Sequence, residues 1–126
     1  HSEYQLCIRK TIETDRWRHK LSKIWMYKDP LPPETIYQIL LPFCSNIDVW
    51  VTNYFHVLEG NNPVTEWIKA TGLTPYLGVL SSAEQKDFLE DYTEQVKKSY
   101  LKQPDGSTLF PMQRIFVVAR KKRSNY

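Results

Sequence analysis

Tyr54 and His56 stand two residues apart in a run of β-branched and aromatic residues, Ile47 to Leu58, and so share one face of a strand. A phenol beside an imidazole at the border of a pocket can donate hydrogen bonds to a carboxylate. A second group lies in Glu66-Trp67-Ile68-Lys69-Ala70-Thr71-Gly72. Thr71 carries a hydroxyl at a helix end, Lys69 a nearby charge and Trp67 an aromatic wall. Arg114 sits among apolar residues of a later strand. A guanidinium there needs a partner, and an ion pair with Asp48 or a bound anion both meet the need. Plainer readings stand beside these: packing for Trp67, a structural imidazole for His56, a left-handed C-cap for Gly72, solvation for Lys69 and a core position for Tyr37.

Other chemistries find no support. Cys7 and Cys44 are too few for a disulfide framework, and with no CxxC or HExxH spacing there is no metal site to expect. They read as reduced, buried thiols of a cytoplasmic protein. The 17 Lys and Arg against 14 Asp and Glu give a net charge of +3, part of it in the tail Arg120-Lys121-Lys122-Arg123. That tail reads as solvated, and no nucleic-acid-reading motif accompanies it. No apolar run approaches the roughly 18 residues of a membrane span. The start, His1-Ser2-Glu3-Tyr4, lacks a signal-peptide core, and a His where Met is expected suggests a cut chain or a tag remnant. The 4 Trp, 8 Tyr and 5 Phe suit both a core and the walls of a pocket for a small organic ligand.

The positioning elements follow from periodicity. Residues 3–19 form a helix with Tyr4, Cys7, Ile8 and Ile12 on one face. Residues 20–33 are irregular, broken by Asp29-Pro30 and Pro32-Pro33. A helix over about 33–42 offers Ile36, Tyr37, Ile39, Leu40 and Phe43 to a core. The strand 47–58 has a nearly all-apolar face, Ile47, Val49, Val51, Asn53, Phe55 and Val57. Its other face, Asp48 to Leu58 at even numbers, is mixed, as expected of one partly exposed or bordering a pocket. Asn62-Pro63 caps and opens a short helix to about residue 71, with Gly72 as its left-handed stop, and a second short helix ends near Gly78. Ser81 and Glu84 form a capping box for a helix over 82–100, striped by Phe88, Leu89, Tyr92, Val96 and Tyr100. Asp105-Gly106 turns the chain into a strand over 109–120. Two strands cannot hold a sheet alone, so the chain reads as one partial domain, 1–126.

Two segments carry a family resemblance: Ile47-Asp48-Val49-Trp50-Val51-Thr52-Asn53-Tyr54-Phe55-His56 and Glu66-Trp67-Ile68-Lys69-Ala70-Thr71-Gly72-Leu73-Thr74-Pro75-Tyr76-Leu77. They resemble the "VDIW…YxH" strand and the "EWVxGTGLRPxL" helix of trans-aconitate methyltransferases. Phe88-Leu89-x-x-Tyr92, Asp105-Gly106-x-x-Leu109 and Arg114 to Arg120 are similar to the end of that family. The likeness covers essentially residues 3–121.

The resemblance implies an α/β fragment, the C-terminal part of a class I S-adenosylmethionine (SAM)-dependent methyltransferase fold. Strands 47–58 and 109–120 would be its antiparallel sheet edge, and the helices of 63–100 a lid over the substrate. It implies a carboxyl O-methyltransferase acting on a small polycarboxylate such as trans-aconitate, with this chain as the acceptor-recognition portion, inactive alone. Substrate contacts would fall to Tyr54, His56, Trp67, Thr71, Gly72 and Arg114. SAM belongs to the parent and is not expected on this chain: Gly60, Gly72, Gly78 and Gly106 form no GxG, and none is expected between a strand and a helix. Thr74 stands where the family usually has Arg, which points to a different acid preference or to weaker binding. In the parent fold the last strand lies between the fifth and sixth; without the fifth, an edge of 109–120 is open and a homodimer is expected. The alternative is a non-enzymatic ligand-binding or dimerisation module derived from the family.

Overall fold

The computed structural model describes residues 3–24 and 31–123. Its elements run α1 (Glu3–Ile12), α2 (Asp15–Leu21), a 3-10 turn (Ser22–Ile24), α3 (Pro33–Leu40), β1 (Cys44–Leu58), α4 (Pro63–Lys69), α5 (Thr74–Leu77), α6 (Ser82–Ser99) and β2 (Thr108–Lys121). The two strands form a two-stranded antiparallel sheet, and the chain divides into two compact units.

The first unit holds His1–Tyr27 and His56–Phe110. The expected helix over 3–19 is two helices. Thr14 takes an extended conformation, and its carbonyl accepts the first amides of α2. Hydroxyls assist the break: Thr11 donates to the Cys7 carbonyl and Thr14 to the Thr11 carbonyl, each at 2.8 Å. The irregular stretch expected from residue 20 starts later, since Lys20 and Leu21 still belong to α2; Asp29-Pro30 lies outside the described residues.

α1 packs along α6, and α4 also contacts α6. The expected stripes face that contact. Cys7, Ile8 and Ile12 of α1 and Phe88, Tyr92 and Val96 of α6 are buried, while Leu89 and Tyr100 are half-buried. Fully burying an aliphatic or Phe side chain contributes about 1.5–3 kcal/mol, so this seam is the main stabiliser of the unit. Phe110 closes its end, 5.7 Å from the Tyr4 ring centroid and 5.6 Å from Tyr100. The Ser81–Glu84 capping box is formed in both directions. Pro63 opens α4 as expected, but the Asn62 side chain makes no cap bond.

The second unit holds Lys28–Phe55 and Pro111–Tyr126. Pro33 occupies the first turn of α3. The core role expected for this helix is corrected: none of its residues is fully buried, and Tyr37, Ile39 and Phe43 are exposed. The apolar face of β1 is corrected likewise, with Val51, Phe55 and Val57 all exposed. Side chains stand perpendicular to a sheet, so a single neighbouring strand covers them only from the side.

Contacts join the two strands along their length. The Lys122 amide donates to the Phe43 carbonyl and the Ser45 hydroxyl to the Arg120 carbonyl. Further along, Trp50 stacks on Phe116 with centroids 5.4 Å apart, and Gln113 donates to Asn53.

Candidate functional site

In the first unit β1 leads through Gly60 into α4. Gly60 has a φ of 110°, which glycine adopts without strain. Lys102 Nζ donates to its carbonyl and ties this joint to the segment before β2. The expectation that no glycine lies between a strand and a helix is therefore corrected. The joint has one glycine, its carbonyl is held by a lysine, and Pro63 brings no N–H to the helix start.

A groove of about 570 Å³ opens beside this joint, lined by Val57, Leu58, Glu59, Pro63, Glu66 and Trp67 among others. The imidazole of His56 packs 5.3 Å from the Trp67 ring, and Trp67 in turn lies 6.1 Å from Phe110. The expected His56 and Trp67 are thus brought together, with His56 Nε2 buried and Trp67 43% exposed. The groove wall carries two carboxylates that sequence reasoning did not single out, Glu59 and Glu66. They oppose a polyanion, by about 1 kcal/mol per charge pair at 4 Å in water.

A second cavity, about 260 Å³, lies where α4 meets the end of α6. Val64, Val96, Tyr100 and Leu101 give it an apolar lining, and Lys97 and Lys102 supply positive charge. The Thr65 and Thr93 hydroxyls bond to one another at 2.8 Å. Burial pushes the Tyr100 phenol well above its usual range, so it stays protonated. Neither lysine was foreseen; each looks like a surface charge in the sequence, and only the fold brings α4 to them.

Thr71 and Gly72 join neither cavity. Thr71 is exposed, its hydroxyl 3.5 Å from the Ile68 carbonyl of its own helix end. Gly72 is not left-handed; positive φ occurs only at Gly60 and Gly106 among the described residues. It is glycine for lack of space: a Cβ there would stand 3.0 Å from Ile68 Cγ2 and 3.9 Å from Ile8 Cδ1. Lys69 is exposed.

The other two expected residues meet in the second unit. The Arg114 guanidinium lies 5.6 Å from the centroid of the Tyr54 ring and contacts Met112 Sδ at 3.8 Å. No ion pair to Asp48 forms; the aromatic face replaces it. Tyr54 also meets Phe116 edge-on, next to the Trp50–Phe116 stack. An exposed guanidinium braced on an aromatic ring presents its N–H fork to solvent, the geometry that receives a carboxylate. Among the described residues no cluster of His, Cys, Asp and Glu could hold a metal ion, and no helix is long and apolar enough to cross a membrane.

No protein-family model matches the chain. It is 41% identical over 115 residues to the trans-aconitate 2-methyltransferase of Rhodopseudomonas palustris strain HaA2, covering 90% of this chain and 45% of that protein. The protein of the same name from Sinorhizobium fredii is 37% identical over 92% of this chain and 46% of its own length. That of Pseudomonas aeruginosa PAO1 is 38% identical over 73% and 34%. The chain spans less than half the length of the curated relatives it matches.

Proposed function

We propose, taking as premise that this chain is similar to trans-aconitate 2-methyltransferases along about nine-tenths of its length, that it is the C-terminal, acceptor-recognising part of a SAM-dependent carboxyl O-methyltransferase of the cytoplasm. That similarity carries the reading. A carboxylate is ionised at neutral pH and is itself the nucleophile, so its methylation needs positioning more than acid–base help. SAM supplies the electrophilic methyl group in such enzymes, and no donor-binding motif lies in these 126 residues.

Arg114 braced on Tyr54 is the group best suited to a substrate carboxylate, because it offers a cation and a planar donor pair without opposing acids in contact. His56 and Trp67 form an aromatic wall. The Glu59 and Glu66 carboxylates in the wall of that groove disfavour a carboxylate there. Thr74, the position where the family has Arg, is exposed at the start of α5, and a second cationic contact is therefore missing. The acceptor accordingly is a small acid with fewer carboxylates to hold, or trans-aconitate held more weakly.

Calorimetry on the 126-residue chain tests this. Titration with trans-aconitate gives measurable binding, weakened roughly tenfold or more by Arg114→Ala. Titration with SAM gives none. SAM binding by this chain, or carboxylate binding indifferent to Arg114, overturns the assignment.

A further inference from the structure

The two strands differ in how their free edges are protected. β2 carries Pro111, Arg114, Arg120 and Lys121, residues that discourage another strand from joining. β1 carries one formal charge, Asp48, and neither proline nor glycine nor lysine from Cys44 to Leu58. Its exposed side chains include Trp50, Val51, Tyr54, Phe55 and Val57. A long, apolar, unguarded edge is a template for strand addition.

The β1 sequence also specifies which strand fits. A two-fold axis through an antiparallel pair of identical strands must set one residue opposite itself. With Thr52 there, Asp48 faces His56, Trp50 faces Tyr54, Val49 faces Phe55 and Ile47 faces Val57. The strand's one carboxylate meets its one imidazole. Aromatic meets aromatic, aliphatic meets apolar, and the central threonines pair, all favourable cross-strand combinations. The Trp50–Tyr54 pairs extend the Trp50–Phe116 stack of each copy across the junction.

We propose that the partner of this edge is a second copy of the chain, joined β1 to β1 antiparallel about Thr52 to give a continuous four-stranded sheet. This moves the dimer contact from the expected edge of 109–120 to β1, and it does not rest on the methyltransferase reading.

Light scattering on the full 126-residue chain gives twice 15.0 kDa. In a Cys44→Ser background, Thr52→Cys oxidises to a disulfide-linked dimer, because facing Cα atoms about 4.5–5.5 Å apart suit that bond. Asn46→Cys does not link to itself, its two copies lying about 40 Å apart in this register, but Asn46→Cys with Leu58→Cys does. Asp48→Lys, which leaves the cross-linking residues untouched, weakens association about tenfold. A monomeric mass at all concentrations overturns the proposal. So does a dimer in which Thr52→Cys stays unlinked, or in which Asn46→Cys alone links as readily, as when another segment or a foreign strand takes the edge.

Discussion

Trp17 Nε1 donates a 2.7 Å hydrogen bond to Asp91 Oδ2, fastening α2 to α6 through an indole that is only 2% exposed. Phe88 supports the same indole edge-on, with centroids 5.4 Å apart. Asp91→Ala leaves the buried N–H unsatisfied and costs about 1–3 kcal/mol, read as a lower urea midpoint. Asp91→Asn keeps an acceptor and loses less. Arg16→Ala removes the exposed pairs to Asp87 and Asp91 and changes stability by about 1 kcal/mol or less.

Gly72→Ala is destabilising by about 1 kcal/mol, although its φ suits alanine and a Gly→Ala change there gains about 0.4–1 kcal/mol through the unfolded chain. The new Cβ meets Ile68 Cγ2 at 3.0 Å, and Ile68 is buried and stiff at its branched Cβ. Ile68→Leu removes that methyl branch. The double variant loses less than the two single losses added, as denaturation midpoints of the four proteins report.

Ser81→Ala removes the N-cap of α6 and costs about 1 kcal/mol. Acid erodes the same corner. Lys20 at its carboxylate, then the Ser81 N–H, hold the Glu84 carboxyl below the usual range, and the Ser107 hydroxyl and N–H do so for Asp105. A carboxyl depressed in the folded state stabilises fully above its unfolded value and loses that contribution as pH falls through its folded value. Stability therefore falls below about pH 4, and Glu84→Gln flattens part of the slope in a pH series of thermal melts.

The two thiols separate by reactivity. Burial pushes the Cys7 thiol up, and its Sγ lies 3.6 Å from the Ser99 hydroxyl. Cys44 is half-buried at the start of β1. A thiol-reactive dye at pH 8 labels one site quickly in the native protein and two after unfolding, since only the accessible thiolate reacts. Cys44→Ser abolishes the fast phase.

Features decided within a few residues were legible in the sequence. The Ser81–Glu84 box, Pro63 at the start of α4, the Gly106 turn and the α6 stripe stand as read, because capping, φ restriction and a 3.6-residue period are local. Gly72 was misread because glycine answers two needs, and sequence does not distinguish positive φ from close packing. The break at Thr14 was missed because Thr11 and Thr14 compete with the helix ladder only when their rotamers are known. Tyr37 was assigned to a core by hydrophobicity alone, which is silent about whether anything covers it. Of the site residues, pairing emerged only in three dimensions: Arg114 found the Tyr54 face instead of Asp48, and Lys97 and Lys102 came to a cavity with no signature in their own segments.

The packing of α1 along α6 also has a consequence for synthesis. A ribosome delivers Glu3–Ile12 before Ser82–Ser99, the helix against which its apolar face packs, and Phe110 arrives later still. The contacts of Cys7, Ile8 and Ile12 with α6 therefore wait while some 70 further residues are made, several seconds at ordinary elongation rates. Such long-range closure slows folding.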